Sequence, residues 1–214
     1  MRILEPSHEI VSMPDPDQAL AVIERAGRTC YKSEDKIQEG SAGEFIQRIV
    51  RSGHESVIEH GSATVRFVCD RGVSHELVRH RLAAYSQEST RYANYAKERF
   101  GSEISVIRPS FWSEESKEYA LWKEAMLQCE KTYMELLNQG ATPQQARAVL
   151  PNSLKTEVVM TANFREWRHV FRLRCSRAAH PQIRELMFPL LEEMSRLLPP
   201  LFGDIHEEVT GGSK

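Results

Sequence analysis

Arginine, histidine and hydroxyl side chains are concentrated between Arg79 and Arg91, in the sequence RHRLAAYSQESTR. Arg79 and Arg81 flank His80, and Ser89 follows ten residues after Arg79. A guanidinium is a planar, permanently charged set of donors that matches phosphate or carboxylate, and a hydroxyl adds a neutral donor. This density of donors predicts a pocket for an anion that carries a hydrogen-bonding ring. A solvated basic helix end is the alternative that the segment alone leaves open.

A second basic group lies between residues 163 and 177, where five arginines accompany one acidic residue. Trp167, Val170 and Phe171 are interspersed with these arginines, so parts of this segment are expected to be buried. The segment therefore differs from a plain exposed basic face.

The segment from His54 to His60 contains two histidines and two glutamates, which raises the alternative of a metal hydrolase built on His54, Glu55, His60 and His80. A helical zinc site places its histidines four residues apart. His54 and His60 are six apart, and side chains at that spacing lie on opposite sides of a helix. We therefore predict no metal site.

Residue periodicity predicts the elements that position these side chains. Alternation predicts strands at Ala63–Asp70 and Lys155–Asn163, and a third is expected over Ile104–Arg108. Ser74 is expected to cap a helix that carries Leu77, Val78 and Leu82 inward and places Arg79 and His80 in its C-terminal half. Residues 86–91 are expected to form a polar loop. The remaining predicted helices begin at Asp15, Ser41, Ser113, Thr142, Asn163 and Pro181, the first ends at Gly27, and Pro189 is expected to kink or split the last.

This order of elements indicates an α+β fold with a small, mostly antiparallel sheet flanked by helices. The 214 residues favour a single domain over 1–205, with 206–214 as a flexible tail. The sequence contains neither G-x-G-x-x-G nor a P-loop, so any nucleotide has to be held by side chains.

Composition limits the function classes. A net charge of −2 gives the chain no overall positive field, which argues against a nucleic-acid-binding protein. Any anion site therefore has to come from local clustering of basic residues. No secretory signal or membrane-length apolar run is visible, so we expect a cytoplasmic protein with no membrane contact. The four cysteines form no C-x-x-C pair and are expected to be free thiols.

The signature Arg79-His80-Arg81, seven residues, Ser89 resembles that of the flavin-dependent thymidylate synthases. Three further segments support the resemblance in order and spacing. Residues 52–60 are similar to the family's Gly-His-Glu-Ser/Thr-x-x-Glu-His segment, and residues 147–151 to its Ala-Arg-x-x-Leu-Pro segment. Asn163-Phe164-Arg165, His169 and Arg174 follow downstream, so the resemblance extends from about residue 15 to 200.

The resemblance implies reductive methylation of dUMP to dTMP, with methylenetetrahydrofolate as one-carbon donor and NADPH-reduced FAD as hydride source. It also implies a homotetramer whose active sites combine residues of more than one copy. The folate-only thymidylate synthases use a Pro-Cys nucleophile, and no cysteine here follows a proline. Arg174 is implied as the catalytic residue that lies against uracil and stabilises the form ionised at N3.

The remaining implied roles divide between cofactor and substrate. FAD-binding residues are expected at His54, Ser56, Arg79, His80, Arg81, Gln87, Asn163, Phe164, Arg165 and His169. dUMP-binding residues are expected at Glu76, Leu77, Val78, Arg79, Gln87, Glu88, Ser89, Thr90, Arg91, Arg147 and Arg174. This sequence departs from the family at three positions: Gln87 replaces a frequent glutamate, Ala84 a common serine, and Glu76 a glutamine of some members.

Overall fold

The computed structural model describes residues 1–98 and 101–211. Within them the strands are β1 (Arg2–Leu4), β2 (Ser7–Ser12), β3 (Ser62–Asp70), β4 (Ala83–Gln87), β5 (Ser105–Ile107) and β6 (Lys155–Asn163). The helices are α1 (Pro16–Tyr31), α2 (Ser41–Arg51), α3 (Arg71–Leu77), α4 (Lys117–Asn138), α5 (Pro143–Ala146), α6 (Phe164–Arg174), α7 (Pro181–Leu197) and α8 (Pro199–Thr210). Short 3₁₀ turns cover Glu34–Lys36, Glu55–His60 and Arg147–Val149.

Four strands form one sheet in the order β2–β3–β6–β4, and β1 pairs with β5 in a separate parallel pair. Side-chain contacts show that β3 and β6 are antiparallel. The Thr64 and Thr161 hydroxyls are 2.9 Å apart, and Arg66 contacts Glu157 at 2.6 Å. Residue numbers therefore increase along β3 as those of their partners decrease along β6, which is the antiparallel arrangement. The predicted α+β fold with a small sheet is confirmed.

The chain divides into two compact units, which we describe separately. Unit 1 comprises Met1–His8, Arg66–Arg79 and Tyr85–Val159. Unit 2 comprises Glu9–Val65, His80–Ala84 and Met160–Lys214.

Unit 1 is built around the long helix α4. The Ser116 hydroxyl begins this helix by accepting a hydrogen bond from the Tyr119 amide at 3.1 Å. Tyr119, Trp122 and Tyr133 then recur along one buried face, as the periodicity predicted. They pack with Ile104, which directly precedes β5, with Val106 of β5, and with Leu154, which directly precedes β6.

Unit 2 is predominantly helical. The Asp15 carboxylate caps α1 by accepting from the amides of residues 17 and 18, and the Asn163 side chain caps α6 by accepting from Glu166 at 2.9 Å. Phe171 packs edge-on against Phe202 of α8, with ring centroids 5.7 Å apart. These contacts bury one face of α6 and hold the arginine-rich helix in place.

Several predicted boundaries are wrong. Helix α1 continues past Gly27 to Tyr31, because Lys32 supplies the left-handed C-terminal residue instead. Helix α2 does begin at Ser41 as predicted, with Gly40 as its N-cap. Pro189 lies inside α7, which remains one element.

The predicted tail also needs correction. Residues 206–210 belong to α8, whose Phe202 and Ile205 are buried, so the flexible tail does not begin at residue 206. Residues 212–214 of that predicted tail lie outside the described residues. No helix in the described ranges combines the length and the apolar character needed to cross a membrane.

Candidate active site

The Arg-His-Arg motif lies beyond a helix rather than within it. Helix α3 starts four residues earlier than predicted, because the Asp70 carboxylate accepts from the Val73 amide at 2.7 Å and acts as the N-cap. Ser74 is therefore not a cap, and its hydroxyl donates to the Arg71 carbonyl at 2.8 Å. Since α3 ends at Leu77, the motif follows the helix, and its first residue is tied to the helix by a hydrogen bond from the Arg79 amide to the Glu76 carbonyl at 3.4 Å.

A strand that the sequence did not reveal follows the motif. Residues 83–87 form β4, so Ser86 and Gln87 are not in the predicted loop. Leu82 is 76% exposed instead of packing inward. The Glu88 amide continues the strand pairing by donating to the Glu157 carbonyl at 2.9 Å. Alternation over only five residues with a polar exposed face is too weak a pattern to predict a strand.

The predicted phosphate donors of unit 1 gather in the turn after β4. The Ser89 hydroxyl accepts from the Arg91 amide at 3.3 Å, and the Ser89 carbonyl accepts from the Ala93 amide at 3.0 Å. Thr90 is buried, and its hydroxyl accepts from the Arg147 guanidinium at 3.4 Å. The structure thus brings Ser89, Thr90, Arg91 and Arg147 together, as expected for one anion site.

The predicted uracil-side residues of unit 1 differ in burial and in hydrogen bonding. The Gln87 amide donates to Ser74 at 2.9 Å and to Thr156 at 3.3 Å, which fixes its orientation. Leu77 is fully buried, and its carbonyl accepts from the Tyr85 hydroxyl at 2.7 Å, so its side chain supports the helix. Val78 is 40% exposed, and Glu76 is half-buried.

Glu88 belongs to a charged network in unit 1. Lys155 contacts Glu88 at 3.1 Å and Glu157 at 2.5 Å, and Arg66 contacts Glu157 at 2.6 Å. Burial alone raises the pKa of Glu157, but hydrogen bonds from Lys155 and Arg66 outweigh it and lower that pKa. The Glu88 carboxylate is therefore already neutralised by a lysine.

His80 is buried in unit 2 and contacts residues from helix α6. The Arg174 Nε donates to His80 Nε2 at 3.0 Å, and His80 Nδ1 lies 3.4 Å from Glu166 Oε1. The His169 ring lies edge-on to the His80 ring, with centroids 5.6 Å apart. Burial raises the pKa of the Glu166 carboxyl, and the charge of His169 opposes this effect. The contact between Glu166 and His80 was not indicated by the sequence.

His80, Glu166 and His169 also place ligand atoms within 4.8 Å of one another, as a metal site would. The Arg174 contact argues against that use. Because His80 Nε2 accepts a hydrogen bond, the proton of the neutral ring belongs on Nδ1. A nitrogen that carries a proton has no lone pair for a metal, so the geometry favours a hydrogen-bonded chain.

Other residues of the predicted flavin set have structural contacts. The Arg165 guanidinium donates to Glu59 at 2.6 Å, and both side chains are exposed. Asn163 caps α6, and the buried Phe164 ring packs edge-on against Phe202. Because the Phe164 side chain is buried, only its backbone is available for the predicted flavin role. The side chains of Ser56 and Arg81 are exposed.

His54 lines a pocket of about 1050 Å³ in unit 2. The Tyr31 hydroxyl lies 2.5 Å from His54 Nδ1, and the two rings are stacked with centroids 6.3 Å apart. Arg28 and Arg48 also line this pocket, and both lie over the Phe45 ring. The sequence did not indicate Tyr31 as a site residue, because it lies 23 residues from His54 in the chain.

Three arginines of the predicted set stand apart from the rest. Arg79, Arg81 and Arg91 are exposed, and none makes an ion pair within residues 1–98 and 101–211. Arg147 is likewise exposed and makes a contact with the neutral Thr90 rather than with a carboxylate. Their charge is therefore not neutralised by the described part of the chain.

Two of the four cysteines are buried and poorly suited to act as nucleophiles. Burial raises the pKa of Cys175 to about 12, although the charge of Arg184 opposes it. Burial and the Asp70 charge raise the pKa of Cys69 to about 12. A thiol with so high a pKa is almost entirely protonated at neutral pH, and the thiolate is the reactive form.

Comparison with known proteins supplies the family. The family model described as "Thymidylate synthase complementing protein" matches residues 10–200. A flavin-dependent thymidylate synthase of Geobacter sulfurreducens is 35% identical over 198 residues, which cover 89% of this chain and 82% of that protein. The chain belongs to the flavin-dependent thymidylate synthase family. A second such enzyme, from Pyrococcus furiosus, is 35% identical over 177 residues that cover 82% of this chain and 72% of that protein.

A solved structure agrees with this assignment at the level of the fold. The crystal structure of the UMP/dUMP methylase PolB from Streptomyces cacaoi, bound with 5-Br dUMP, gives a TM-score of 0.77 at 23% identity. The superposition covers 99% of this chain and 97% of that one. The predicted family and the predicted class of enzyme, a flavin-dependent thymidylate synthase, are confirmed.

Proposed function

We propose that this flavin-dependent thymidylate synthase converts dUMP to dTMP by reductive methylation. In this proposal methylenetetrahydrofolate donates the one-carbon unit and NADPH is the reductant. The flavin is FAD, and it supplies the hydride chemistry when bound. The observation that carries the proposal is a family match over most of the chain combined with exposed arginines, Arg79, Arg81, Arg91 and Arg147, that no described carboxylate neutralises.

These donors fit the groups that the reaction needs. The FAD diphosphate, the dUMP phosphate, the NADPH phosphates and the folate carboxylates are all anions, and guanidinium groups bind such anions in pairs of hydrogen bonds. Uncompensated positive charge also raises the local concentration of anionic substrates. A chain whose arginines were all paired with carboxylates would offer neither effect.

Ser89, Thr90, Arg91 and Arg147 are assigned to the dUMP phosphate. Ser89 and Arg91 share one tight turn, and Arg147 is oriented by its contact with Thr90. The neighbouring Glu88, held by Lys155, and the orientated amide of Gln87 are assigned to the uracil side. Because the Gln87 NH2 group already donates to Ser74 and Thr156, its Oε1 is the atom left to accept from the imide N–H, as a carboxylate oxygen of the family's glutamate would.

Arg174 is assigned to the uracil ring. A guanidinium against the N3–O4 side stabilises negative charge there, and this charge makes C5 nucleophilic without a covalent bond to the enzyme. Positioned donors at a developing anion commonly contribute about 3–4 kcal/mol each. The high pKa of the buried Cys175 supports a mechanism that uses no cysteine nucleophile.

His54, Ser56, Arg79, His80, Arg81, Asn163, Arg165 and His169 are assigned to FAD, together with Gln87 and the backbone at Phe164. We further propose a homotetramer in which each site combines residues of more than one copy, so the flavin and dUMP residues of one copy need not meet. Light scattering of the purified protein tests this, since four copies of a 24.5 kDa chain scatter as a single tetramer.

Colour and turnover test the function together. The purified protein is expected to absorb near about 450 nm, where oxidised flavins absorb. It is expected to release tritium from 5-tritiated dUMP when NADPH and methylenetetrahydrofolate are both present, and omission of either should stop methylation. A colourless protein that neither binds added FAD nor releases tritium would rule out the proposal.

A further inference from the structure

The His80 ring lies between a carboxylate and a guanidinium in unit 2. On one side Arg174 Nε donates to His80 Nε2 at 3.0 Å, and on the other Glu166 Oε1 lies 3.4 Å from His80 Nδ1. Both His80 and Glu166 are buried, at 3% and 6% exposure, so water competes little for these contacts. The three side chains form an ordered chain from carboxylate to imidazole to guanidinium.

The order of these contacts determines where the His80 proton resides. A guanidinium nitrogen can only donate, so His80 Nε2 must accept and cannot carry a proton. His80 is then neutral and protonated on Nδ1, the nitrogen that faces Glu166. A carboxylate beside an imidazole N–H fixes the tautomer and ring orientation and makes the opposite nitrogen a better acceptor, as it does for metal-bound histidines.

We propose that Glu166 and His80 are positioning residues that hold the Arg174 guanidinium, through its Nε, in the orientation that activates uracil. This inference rests on the proposed function of Arg174. It assigns His80 a role beyond contact with flavin, and it assigns Glu166 a role in the reaction that neither its place in the helix cap nor the signature motif indicated.

The backbone of α6 explains why Glu166 can serve this purpose. The Asn163 side chain caps the helix at the Glu166 amide, with a distance of 2.9 Å, so the glutamate is fixed in the first helical turn. Arg174 is the last residue of the same helix. His80 therefore links the two ends of α6, and loss of the Glu166 charge is transmitted to Arg174 through one ring.

Glu166→Gln is the direct test because it preserves the size of the side chain and removes the charge. We expect the variant to keep its flavin and its thermal midpoint, and to bind dUMP within about twofold of wild type. Its kcat for tritium release should fall about tenfold, as for other partners that orient a functional side chain. Glu118→Gln, which changes an exposed first-turn glutamate of α4, should keep wild-type kcat.

A double-variant cycle separates positioning from general damage. If Glu166 acts through Arg174, then Glu166→Gln should lower kcat less than about twofold in an Arg174→Lys background, because lysine has no Nε–H to orient. An equal loss in both backgrounds, or a Glu166→Gln enzyme with wild-type kcat, would overturn the proposal.

Nitrogen-15 NMR of labelled histidine tests the geometry without reference to turnover, and it remains decisive if Glu166→Gln fails to fold. The resonance absent from His80→Gln identifies His80 among the eight histidines. We expect a proton on Nδ1 and none on Nε2. Protonation of His80 on Nε2 would overturn the positioning proposal even if the enzyme is active. A wild-type protein that releases no tritium would refute the proposed function, and the His80 tautomer would still be measured by NMR.

Discussion

The turn after β4 in unit 1, which contains Arg91, and the arginine-rich helix α6 in unit 2 use arginine differently. In the turn, Arg91 is exposed and has no ion pair within the described ranges. In α6, Arg168 is fully buried and contacts Glu55 at 3.1 Å and Asp204 at 2.7 Å, besides donating to the Leu201 carbonyl. The comparison indicates that pairing, rather than the number of arginines, distinguishes a ligand site from a structural one.

The comparison predicts that changes to the two regions have separate consequences. Changes in α6 that leave buried charge unpaired should lower the stability of the fold. Changes in the turn should lower ligand affinity and leave stability intact. Arg174 falls between these cases, because it is half-buried and donates to the His80 imidazole.

The largest effect is expected from Arg168→Ala. This change removes a fully buried side chain and leaves Glu55 and Asp204 with only the longer contacts to Arg172. Loss of one partner of a buried ion pair typically costs about 3–5 kcal/mol, and urea unfolding measures it. Arg172→Ala is the matched control, since Arg172 faces the same two acids at 3.5 and 3.9 Å with a side chain 38% exposed. It should cost less than about 1 kcal/mol.

A smaller effect, on binding instead of folding, is expected from Arg91→Gln. Removing a charged donor to phosphate should weaken dUMP binding by about tenfold or more, since such hydrogen bonds contribute roughly 1.5–3 kcal/mol. Equilibrium titration with dUMP measures the affinity, and the midpoint of thermal unfolding should not change. Arg177→Gln, at an exposed arginine outside the assigned set, should bind dUMP as wild type does. A drop in stability at Arg91 without loss of affinity would contradict the distinction between the regions.

The charged network beside the turn should contribute modestly and in a pH-dependent way. The pKa of Glu157 is lowered in the folded state, so its stabilising effect is present above the unfolded pKa and is lost as pH falls through the folded value. Glu157→Gln should cost about 1 kcal/mol or less at neutral pH, because the side chain is 35% exposed. The difference from wild type should shrink between about pH 5 and pH 3.

The smallest effect is expected from Cys175→Ala. Since burial raises the pKa of this thiol to about 12, it supplies no thiolate, and kcat should remain within about threefold of wild type. Alkylation at pH 8 should modify the exposed Cys30 and leave Cys175 unmodified in the folded protein. A thousandfold loss of kcat would instead indicate a nucleophilic cysteine.

The sequence was informative where pattern and local chemistry agree. The strand Lys155–Asn163, the Asn163 cap and the buried face of α4 were predicted because period-2 and helical patterns persist over whole elements there. The start of α3 was missed because two candidate caps, Asp70 and Ser74, lie four residues apart. Local sequence cannot decide which of them accepts a backbone hydrogen bond.

The sequence supplied candidate site residues but not the contacts among them. The family resemblance assigned roles to Arg79, His80 and Arg174, yet it could not show that His80 joins Arg174 to Glu166, because residues 80 and 174 meet only in the folded chain. The same limit concealed the Tyr31–His54 contact. Charge pairing depends on tertiary distance, so the sequence could not distinguish the open arginines from the paired ones.

Tritium release from 5-tritiated dUMP per bound flavin, measured for wild type and Arg174→Ala, tests the central claim most directly. We expect the wild-type protein to turn over only with NADPH and methylenetetrahydrofolate. The variant should keep its flavin and lose about 100-fold to 1,000-fold in kcat, as expected when one preorganised donor is removed. A flavin-loaded variant that turns over near the wild-type rate, or a flavin-loaded wild type that releases no tritium, would contradict the account.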